Sequence, residues 1–345
     1  MQILVTGAAG FIGYHLVEVL LNYNHKVIGI DNLNEYYDPK LKQLRLDEIK
    51  KNKNSDNFNF IYGDIADKTF IDNIFSEHRF EIVINLAAQA GVRYSIDNPY
   101  VYHESNSLGF LNILEGSRNH KVNHLVFASS SSVYGMNIRQ PFSTRDRADY
   151  PISLYAATKR SNELMAHTYS HLFRLPVTGL RFFTVYGPFG RPDMAYYKFT
   201  KSILTGEKID VFNENEMKRD FTYIDDIIEG IISIIQAEPP KEVSNKISSS
   251  NAPFKIYNIG NNKPETLSDF IAAIEKACNK KAIKNHMPMQ PGDVTATYAD
   301  IDDLKKDFNF DPKVNIDEGI KRFVDWFKKF ELWVIKTVYL DFIIN

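Results

Sequence analysis

The chain has 345 residues, which predicts about two domain-sized units with ample chain for a hydrophobic core. Its 41 Lys and Arg residues balance 43 Asp and Glu residues, and this charge of -2, with no basic block, excludes the electrostatic footprint of a nucleic-acid-binding protein. The single cysteine, Cys278, excludes an intramolecular disulfide framework and indicates a reducing compartment. Because core sequence follows Gln2 directly, we expect a cytoplasmic protein without a membrane partner, and no bound metal is expected.

The first predicted element is a buried strand that runs through a glycine-rich turn into an amphipathic helix. Residues 3–5 form a short apolar run, typical of a parallel strand that is covered on both faces. Gly7, Gly10 and Gly13 follow: the first permits a tight turn, the second lets the backbone approach a pyrophosphate, and the third lets the helix pack closely on the strand. A helix beginning near Gly10 directs its free N–H groups toward the turn, which predicts an anion site.

The second predicted strand covers residues 26–30 and ends in Asp31, eighteen residues beyond Gly13. A carboxylate at this place in a dinucleotide site accepts hydrogen bonds from the adenosine ribose hydroxyls. It would repel a phosphate on that ribose, so the pattern favours NAD over NADP. A solvated turn residue is the alternative interpretation of Asp31.

Strand and helix patterns then alternate with short connections. Such alternation is typical of a doubly wound parallel sheet with right-handed crossovers. The next predicted strands are 58–62, 82–86, 124–127 and 177–182. The predicted helices among them are 39–52, 67–77, 99–118 and 154–173, and the first of these is so highly charged that we expect it on the surface.

Glycine and proline cluster between Gly187 and Pro192, and we place a lobe boundary there. Beyond it the sequence predicts helices over 194–204, 224–236, 267–278 and 316–329, and strands over 209–212 and 254–259. We therefore predict an α/β protein with a Rossmann domain over 1–182, completed by segments around 224–260, a smaller α/β substrate lobe over 183–330, and an apolar tail over 331–345. Lys336 and Asp341 interrupt that tail, which is also too short to span a bilayer.

The strongest chemical signal is Tyr155 followed four residues later by Lys159 within a helical pattern. This spacing brings both side chains to one face of the helix. A tyrosine with an unperturbed pKa of about 10 is a poor base. The pKa would be lowered by a neighbouring ammonium and by the positive nicotinamide ring of oxidised NAD, which would make Tyr155 a usable base near neutral pH. A solvated helix face is the alternative.

A run of four serines, Ser129 to Ser132, follows the fifth predicted strand. Ligands bind at this carboxyl edge of a parallel sheet. Ser130 lies twenty-five residues before Tyr155 and is the candidate for holding a substrate hydroxyl. A serine-capped turn without a ligand is the alternative.

Several motifs occur together in one order: GAAGFIG, DNLNEYYDP, GDI, LAAQAGVRYSI, ASSSSVYG, YAATK, RFFTVYGPFGRPDMA, RDFTYIDD and MQPGD. By these motifs, which cover about residues 1–330, the chain resembles extended short-chain dehydrogenases/reductases of the nucleotide-sugar epimerase group. Within that group it is most similar to the UDP-glucuronate 4-epimerases. The tail beyond Phe330 has no counterpart in the resemblance.

The resemblance implies a role for each matching residue. Tyr155 is the catalytic base, Lys159 holds the nicotinamide ribose, and Ser130 orients the sugar hydroxyl. The implied NAD-binding residues are Gly7, Gly10, Phe11, Ile12, Gly13, Asp31, Asn32, Asn34, Asp64, Ile65, Leu86, Ala87, Ala88, Gln89, Tyr155 and Lys159. The implied substrate-binding residues are Arg93, Ser130, Ser131, Ser132, Thr184, Arg191, Arg219 and Asp293, with Arg191 and Arg219 suited to the diphosphate. For Arg93 a surface salt bridge is the alternative.

The reaction implied by the resemblance is inversion at C4 of a UDP-sugar through a transient 4-keto sugar, with NAD regenerated and retained. Ser131 and Ser132 stand where related dehydratases and uronate decarboxylases carry Asp or Glu, and Met289 and Gln290 stand near the position where hexose 4-epimerases carry an arginine. Both departures favour UDP-glucuronate epimerisation.

Three enzyme alternatives and one non-enzyme alternative stay open at this point. The enzyme alternatives are a 4-epimerase of UDP-N-acetylhexosamines, a 4-epimerase of UDP-glucose and a UDP-glucuronate decarboxylase. The other is an NAD-binding regulatory protein, which would be expected to have lost Tyr155 or Lys159. Relatives build a four-helix dimer interface from the helices corresponding to 99–118 and 154–173, so the resemblance also implies a homodimer.

Overall fold

The structure is a computed structural model that describes residues 1–212, 217–242, 250–288 and 296–344, with the backbone alone for residues 331–344. The strands in this part of the chain are β1 (Gln2–Thr6), β2 (Lys26–Asp31), β3 (Phe58–Tyr62), β4 (Ile82–Asn85), β5 (His124–Ser130), β6 (Val177–Phe182), β7 (Thr184–Tyr186), β8 (Lys208–Phe212), β9 (Lys218–Tyr223), β10 (Phe254–Ile259), β11 (Pro264–Thr266), β12 (Ile283–Met287) and β13 (Ala296–Thr297). The α-helices are α1 (Phe11–Asn22), α2 (Pro39–Ile49), α3 (Lys68–Glu77), α4 (Tyr94–Asp97), α5 (Pro99–Tyr102), α6 (Gly109–Asn119), α7 (Leu154–Phe173), α8 (Ala195–Thr205), α9 (Ile224–Gln236), α10 (Leu267–Cys278), α11 (Asp302–Phe308) and α12 (Ile316–Ile344).

Seven strands form one parallel sheet in the order β10-β6-β5-β4-β1-β2-β3. Alternate residues of a strand point to opposite faces, and both faces are buried here. Ile3 and Val5 join the core on one side, whereas Leu4 joins the core on the other. The predicted doubly wound α/β fold is therefore confirmed, and its parallel register brings all seven carboxyl ends to one edge.

The segment 224–260 contributes to this large sheet, since β10 pairs in parallel with β6 and α9 packs against α1. The smaller strands lie after β6. β9 pairs with β7, β11 and β13, and β8 pairs in parallel with β12. These short sheets pack with α8 and α10, since α8 contacts β8, α10 contacts β11, and the two helices contact each other.

The predicted helix 99–118 is interrupted by a π-helix over His103–Leu108, between α5 and α6. Asn106 in this π segment is buried, and it accepts a hydrogen bond from Gln89 N at 2.8 Å and donates one to Gln89 O at 3.0 Å. These two bonds fix the loop that follows β4. π-Helical turns occur often at functional sites, and periodicity alone does not distinguish such a turn from a regular helix.

The charged second helix is less exposed than predicted. It begins at Pro39, where the Asp38 side chain accepts a hydrogen bond from Lys40 N at 2.9 Å. Lys42 and Arg45 are 4% and 0% exposed, because this face of α2 lies against the glycine-rich turn. The expectation of a surface helix is therefore wrong for these two side chains.

The last helix, α12, extends from Ile316 to Ile344, well past the predicted end at residue 329. The predicted apolar tail thus continues the helix. Among the described residues, no helix combines the length and the apolar character that crossing a membrane would need.

Candidate functional site

The glycine-rich turn leaves no room for side chains. Gly7 has φ +71°, and a Cβ there would lie 2.8 Å from Ala87 N. A Cβ on Gly13 would lie 2.0 Å from Gly7 O. Gly10 is the N-cap of α1 and no side chain caps the helix, so the first N–H groups of α1 are available to an anion. The turn therefore fits the pyrophosphate of a dinucleotide.

Asp31 is buried at the end of β2, which excludes the solvated turn residue as its explanation. Its carboxylate accepts hydrogen bonds from Ala9 N at 3.1 Å and Leu33 N at 2.9 Å. Burial raises the pKa of this carboxyl, and the charge of Lys42 is the largest of the influences that lower it. Asp31 thus joins the turn to the second strand and faces the same cavity as the turn.

Tyr155, Lys159 and Ser130 line the same cavity, and Tyr155 and Ser130 share a hydrogen bond. The Ser153 side chain caps α7 by accepting from Ala156 N at 3.1 Å, which places Tyr155 in the first turn of the helix. Lys159 is 2% exposed and donates from Nζ to Ala128 O at 2.8 Å. The end of β5 is thereby fixed against the face of α7 that carries both residues.

The ionisation of Tyr155 differs from the sequence-based expectation. Burial is the largest influence and raises the pKa of Tyr155, while a hydrogen bond with Ser130 and the charge of Arg191 lower it. Burial also lowers the pKa of Lys159 to about 8. Lys159 is therefore not the main influence of the protein on the pKa of Tyr155. Ser130 and Arg191 are the groups that oppose the effect of burial on this pKa.

Beneath the serine run lies a buried ion-pair network that the sequence analysis missed. Glu163 accepts a hydrogen bond from Ser129 Oγ at 2.6 Å and two from Arg181, each at 2.8 Å. Burial would raise the pKa of Glu163, but the hydrogen bonds and charge of Arg181 outweigh it and lower the pKa. Glu163 lies four residues after Lys159, on the helix face that also carries Tyr155. This spacing in the sequence could have predicted its place beside the site.

Arg191 also lines the cavity. Its guanidinium donates from Nε to Asp193 Oδ1 at 2.9 Å and from Nη2 to Asp193 Oδ2 at 2.6 Å, and Tyr36 Oη donates to the same carboxylate at 3.2 Å. Burial is the largest single influence and lowers the pKa of Arg191, but the charge and hydrogen bonds of Asp193 act together with Tyr36 and Tyr155 and raise the pKa on balance. Arg191 is therefore a fixed, charged fork suited to phosphate oxygens.

All of the predicted NAD-binding residues line this one cavity. Several further lining residues carry polar groups and were not predicted as site residues, namely Tyr36, Tyr37, Lys42, Ser105 and Ser129. Tyr36 and Tyr37 belong to the DNLNEYYDP motif, so that motif could have predicted their place in the site.

Of the predicted substrate-binding residues, Ser130 and Arg191 line the cavity, and five others do not. Ser131 and Ser132 begin a 3₁₀ turn, and Thr184 is the first residue of β7. The Arg93 guanidinium lies over the Phe212 ring, 5.5 Å from its centroid, and Arg219 Nη1 donates to Lys218 O at 2.9 Å. Asp293, Met289 and Gln290 lie outside the described residues.

Comparisons with known proteins agree along almost the whole chain. The family described as GDP-mannose 4,6 dehydratase matches residues 4–323. Protein CapI of Staphylococcus aureus is 54% identical over 335 residues, which cover 96% of this chain and 99% of that protein. The probable UDP-glucuronate 4-epimerase of Rhizobium meliloti (strain 1021) is 44% identical over 335 residues, which cover 95% of this chain and 97% of that protein.

A solved structure shows the same similarity in three dimensions. The crystal structure of UDP-glucuronic acid 4-epimerase from Bacillus cereus in complex with UDP-glucuronic acid and NAD matches with a TM-score of 0.86 at 33% identity. The match covers 96% of this chain and 100% of that one.

Proposed function

The chain belongs to the GDP-mannose 4,6 dehydratase family, among the extended short-chain dehydrogenases/reductases, and on that premise we propose that it catalyses the NAD-dependent C4 epimerisation of UDP-glucuronate to UDP-galacturonate. The observation that carries this proposal is the meeting of Tyr155, Ser130 and Lys159 in the cavity that also contains the glycine-rich turn and Asp31. A proton acceptor for a sugar hydroxyl and a cradle for a dinucleotide thereby share one space.

We assign proton transfer and positioning at C4 of the sugar to three side chains. A bound NAD would supply the acceptor and donor of hydride for C4. Tyr155 takes the proton of the 4-hydroxyl, Ser130 holds that hydroxyl in line, and Lys159 binds the nicotinamide ribose. The positive charge of a bound, oxidised nicotinamide would oppose the rise that burial gives to the pKa of Tyr155.

The residues next to Ser130 favour epimerisation over elimination or decarboxylation. Ser131 and Ser132 offer hydroxyls and no carboxylate, so the 4-keto sugar meets no additional acid or base there. We assign the sugar carboxylate to these serines and Thr184, the diphosphate to Arg191 and Arg219, and the sugar end of the cleft to Arg93. Asp293 is assigned to the nucleotide sugar by the same family pattern.

We also propose a homodimer built on α6 and α7. Leucine and phenylalanine side chains are exposed on or beside these helices, since Leu108, Leu164, Leu172 and Phe173 are 43%, 55%, 62% and 43% exposed. Covering such an apolar surface stabilises an interface. Analytical ultracentrifugation tests the proposal, and a monomer at micromolar concentration would overturn it.

The decisive experiment for the reaction is proton NMR of the purified protein with UDP-glucuronate and no added NAD. The anomeric signal of UDP-galacturonate is the expected result, and it would show the reaction and a retained cofactor together. Conversion of UDP-N-acetylglucosamine alone would favour the hexosamine epimerase. A UDP-pentose product would mean that the serines do not prevent decarboxylation.

A further inference from the structure

The guanidinium of Arg45 lies between the glycine-rich turn and the loop of residues 187–191 that ends in Arg191. From the fully buried Arg45, Nη1 donates to Ala9 O at 2.8 Å, within the turn. Nε and Nη2 donate to Phe189 O at 3.1 Å and 2.6 Å, within the loop. One side chain therefore binds the backbone of the glycine-rich turn and the backbone of the loop that carries Arg191.

The hydrogen bonds of Arg45 in the described part of the chain all end on neutral groups. Besides Ala9 O and Phe189 O, the acceptor is Tyr37 Oη, at 2.6 Å from Nη1. The carboxylate of Asp31 is near enough for the charge of Arg45 to lower its pKa slightly. Burying a charge without a bonded carboxylate is costly. The N–H groups of Arg45 are occupied by the protein, so its positive charge acts on an anion at the turn through its electrostatic field alone.

The loop held by Arg45 has a strained backbone. Phe189 has φ +57°, in the left-handed region that residues with a side chain rarely adopt. Such a conformation persists only where the surroundings fix it. The Phe189 ring packs against Tyr14 and Trp326, with centroids 4.7 Å and 5.0 Å apart, and His15 Nε2 lies 2.9 Å from Pro188 O. Arg45 completes this fixation by binding the Phe189 carbonyl.

Resting on the proposed function, we propose that Arg45 is a positioning residue that couples NAD binding to UDP-sugar binding. Its charge lies behind the turn that fits the pyrophosphate of NAD. Its bonds to Phe189 O hold the loop that presents Arg191 to the diphosphate of the sugar nucleotide. NAD binding and the geometry of the substrate site therefore share one structural element.

Two variants separate the charge of Arg45 from its geometry. R45K keeps the positive charge, but its single ammonium is not a fork that spans both carbonyls. R45M removes the charge and the hydrogen bonds. For the purified holoenzyme we would measure bound NAD after denaturation, the Kd of UDP by calorimetry, and KM and kcat for UDP-glucuronate.

We expect R45K to retain NAD while its Kd for UDP and its KM rise about tenfold and its kcat changes little, because Arg191 is displaced and Tyr155 is not. R45M should also lose most of its NAD. The control is Y257F, which removes a half-buried hydrogen bond to Asp307 (2.6 Å) beside β10, an edge strand of the large sheet. Y257F should lower Tm and leave NAD content and both binding constants unchanged.

Two results would overturn the inference. One is a wild-type Kd for UDP in R45K, and the other is a lower Tm in R45K with unchanged KM, which is the behaviour of the control. If R45M does not fold, the R45K data alone decide between these outcomes and the expected one. Failure of the wild-type protein to bind UDP would instead overturn the proposed function, so the two failures are distinguishable.

Discussion

The cofactor side of the cavity is built from backbone, whereas the substrate side is built from charged side chains on loops. At the cofactor side, the ends of β1, β2 and β4 are fixed by the parallel register, and glycines keep side chains away. At the substrate side, Arg191 depends on Asp193 and Tyr36 for its position. A backbone site depends on shape and leaves little room for substitution, while a side-chain site depends on charge and can be tuned by single residues.

The largest expected effect is at Tyr155, where the two sides meet. Y155F removes the phenolic proton acceptor but keeps the ring, so we expect kcat to fall about 10²- to 10⁴-fold. NAD should be retained, because the glycine-rich turn, Asp31 and Lys159 are unchanged, and Tm should fall by little, since one hydrogen bond with Ser130 is lost. NMR turnover and nucleotide release measure the two quantities. Full activity in Y155F would show that another group is the base.

The backbone character of the cofactor side is tested by G13A. A Cβ at residue 13 would lie 2.0 Å from Gly7 O, so α1 must move away from the turn. We expect a loss of stability of about 3 kcal/mol, at the upper end for overpacked sites, and loss of retained NAD. The control is G206A, where a Cβ meets nothing within 4 Å and only φ +82° is strained. If G13A retained stoichiometric NAD, the cradle would not depend on backbone contact.

A pH dependence follows from the buried ammonium of Lys159. Its pKa is lowered to about 8 in the folded protein from an ordinary 10.5, so the ammonium destabilises the fold below about pH 8. This cost disappears as pH rises from about 8 to 10.5, because the folded state then binds fewer protons than the unfolded state.

Relative to K159M, the wild-type protein should therefore gain on the order of 3 kcal/mol of unfolding free energy between pH 7 and pH 10.5. Urea unfolding of both proteins, freed of nucleotide, measures the difference at each pH. A difference that is constant over this range would mean that Lys159 keeps an ordinary pKa.

The smallest expected effects distinguish arginines of the substrate side. R191K replaces the fork by a point charge and should raise KM for UDP-glucuronate about tenfold with NAD retained. R219A should raise KM less, since Arg219 does not line the cavity in this structure. R191K keeps a positive charge at residue 191, whereas R219A removes the whole charged side chain. A smaller effect of R219A could therefore not result from a milder substitution. A larger effect in R219A would mean that the lobe closes on the substrate.

The different construction of the two sides explains what the sequence could predict. Residues at strand ends, such as Asp31 and Leu86, follow from periodicity and sheet register, and the cofactor residues accordingly share one cavity. Arg93 precedes α4 and Arg219 lies in β9, outside the large sheet, so the register of that sheet does not place them, and neither lines the cavity. The π-helix at 103–108 and the burial of Arg45 depend on tertiary contacts, which a local charge or apolar pattern does not contain.

Because Trp326 contacts Phe189, tryptophan fluorescence can report the conformation of the loop of residues 187–191. The Trp326 indole packs on the ring of the residue whose carbonyl binds Arg45. The chain has two tryptophans, so W333F leaves Trp326 as the single tryptophan, which excitation near the red edge of indole absorption selects over the tyrosines. Its emission would then report the arrival of a sugar nucleotide in stopped-flow measurements without an attached dye. The same signal would give the rate at which the loop adjusts, separately from the rate of turnover.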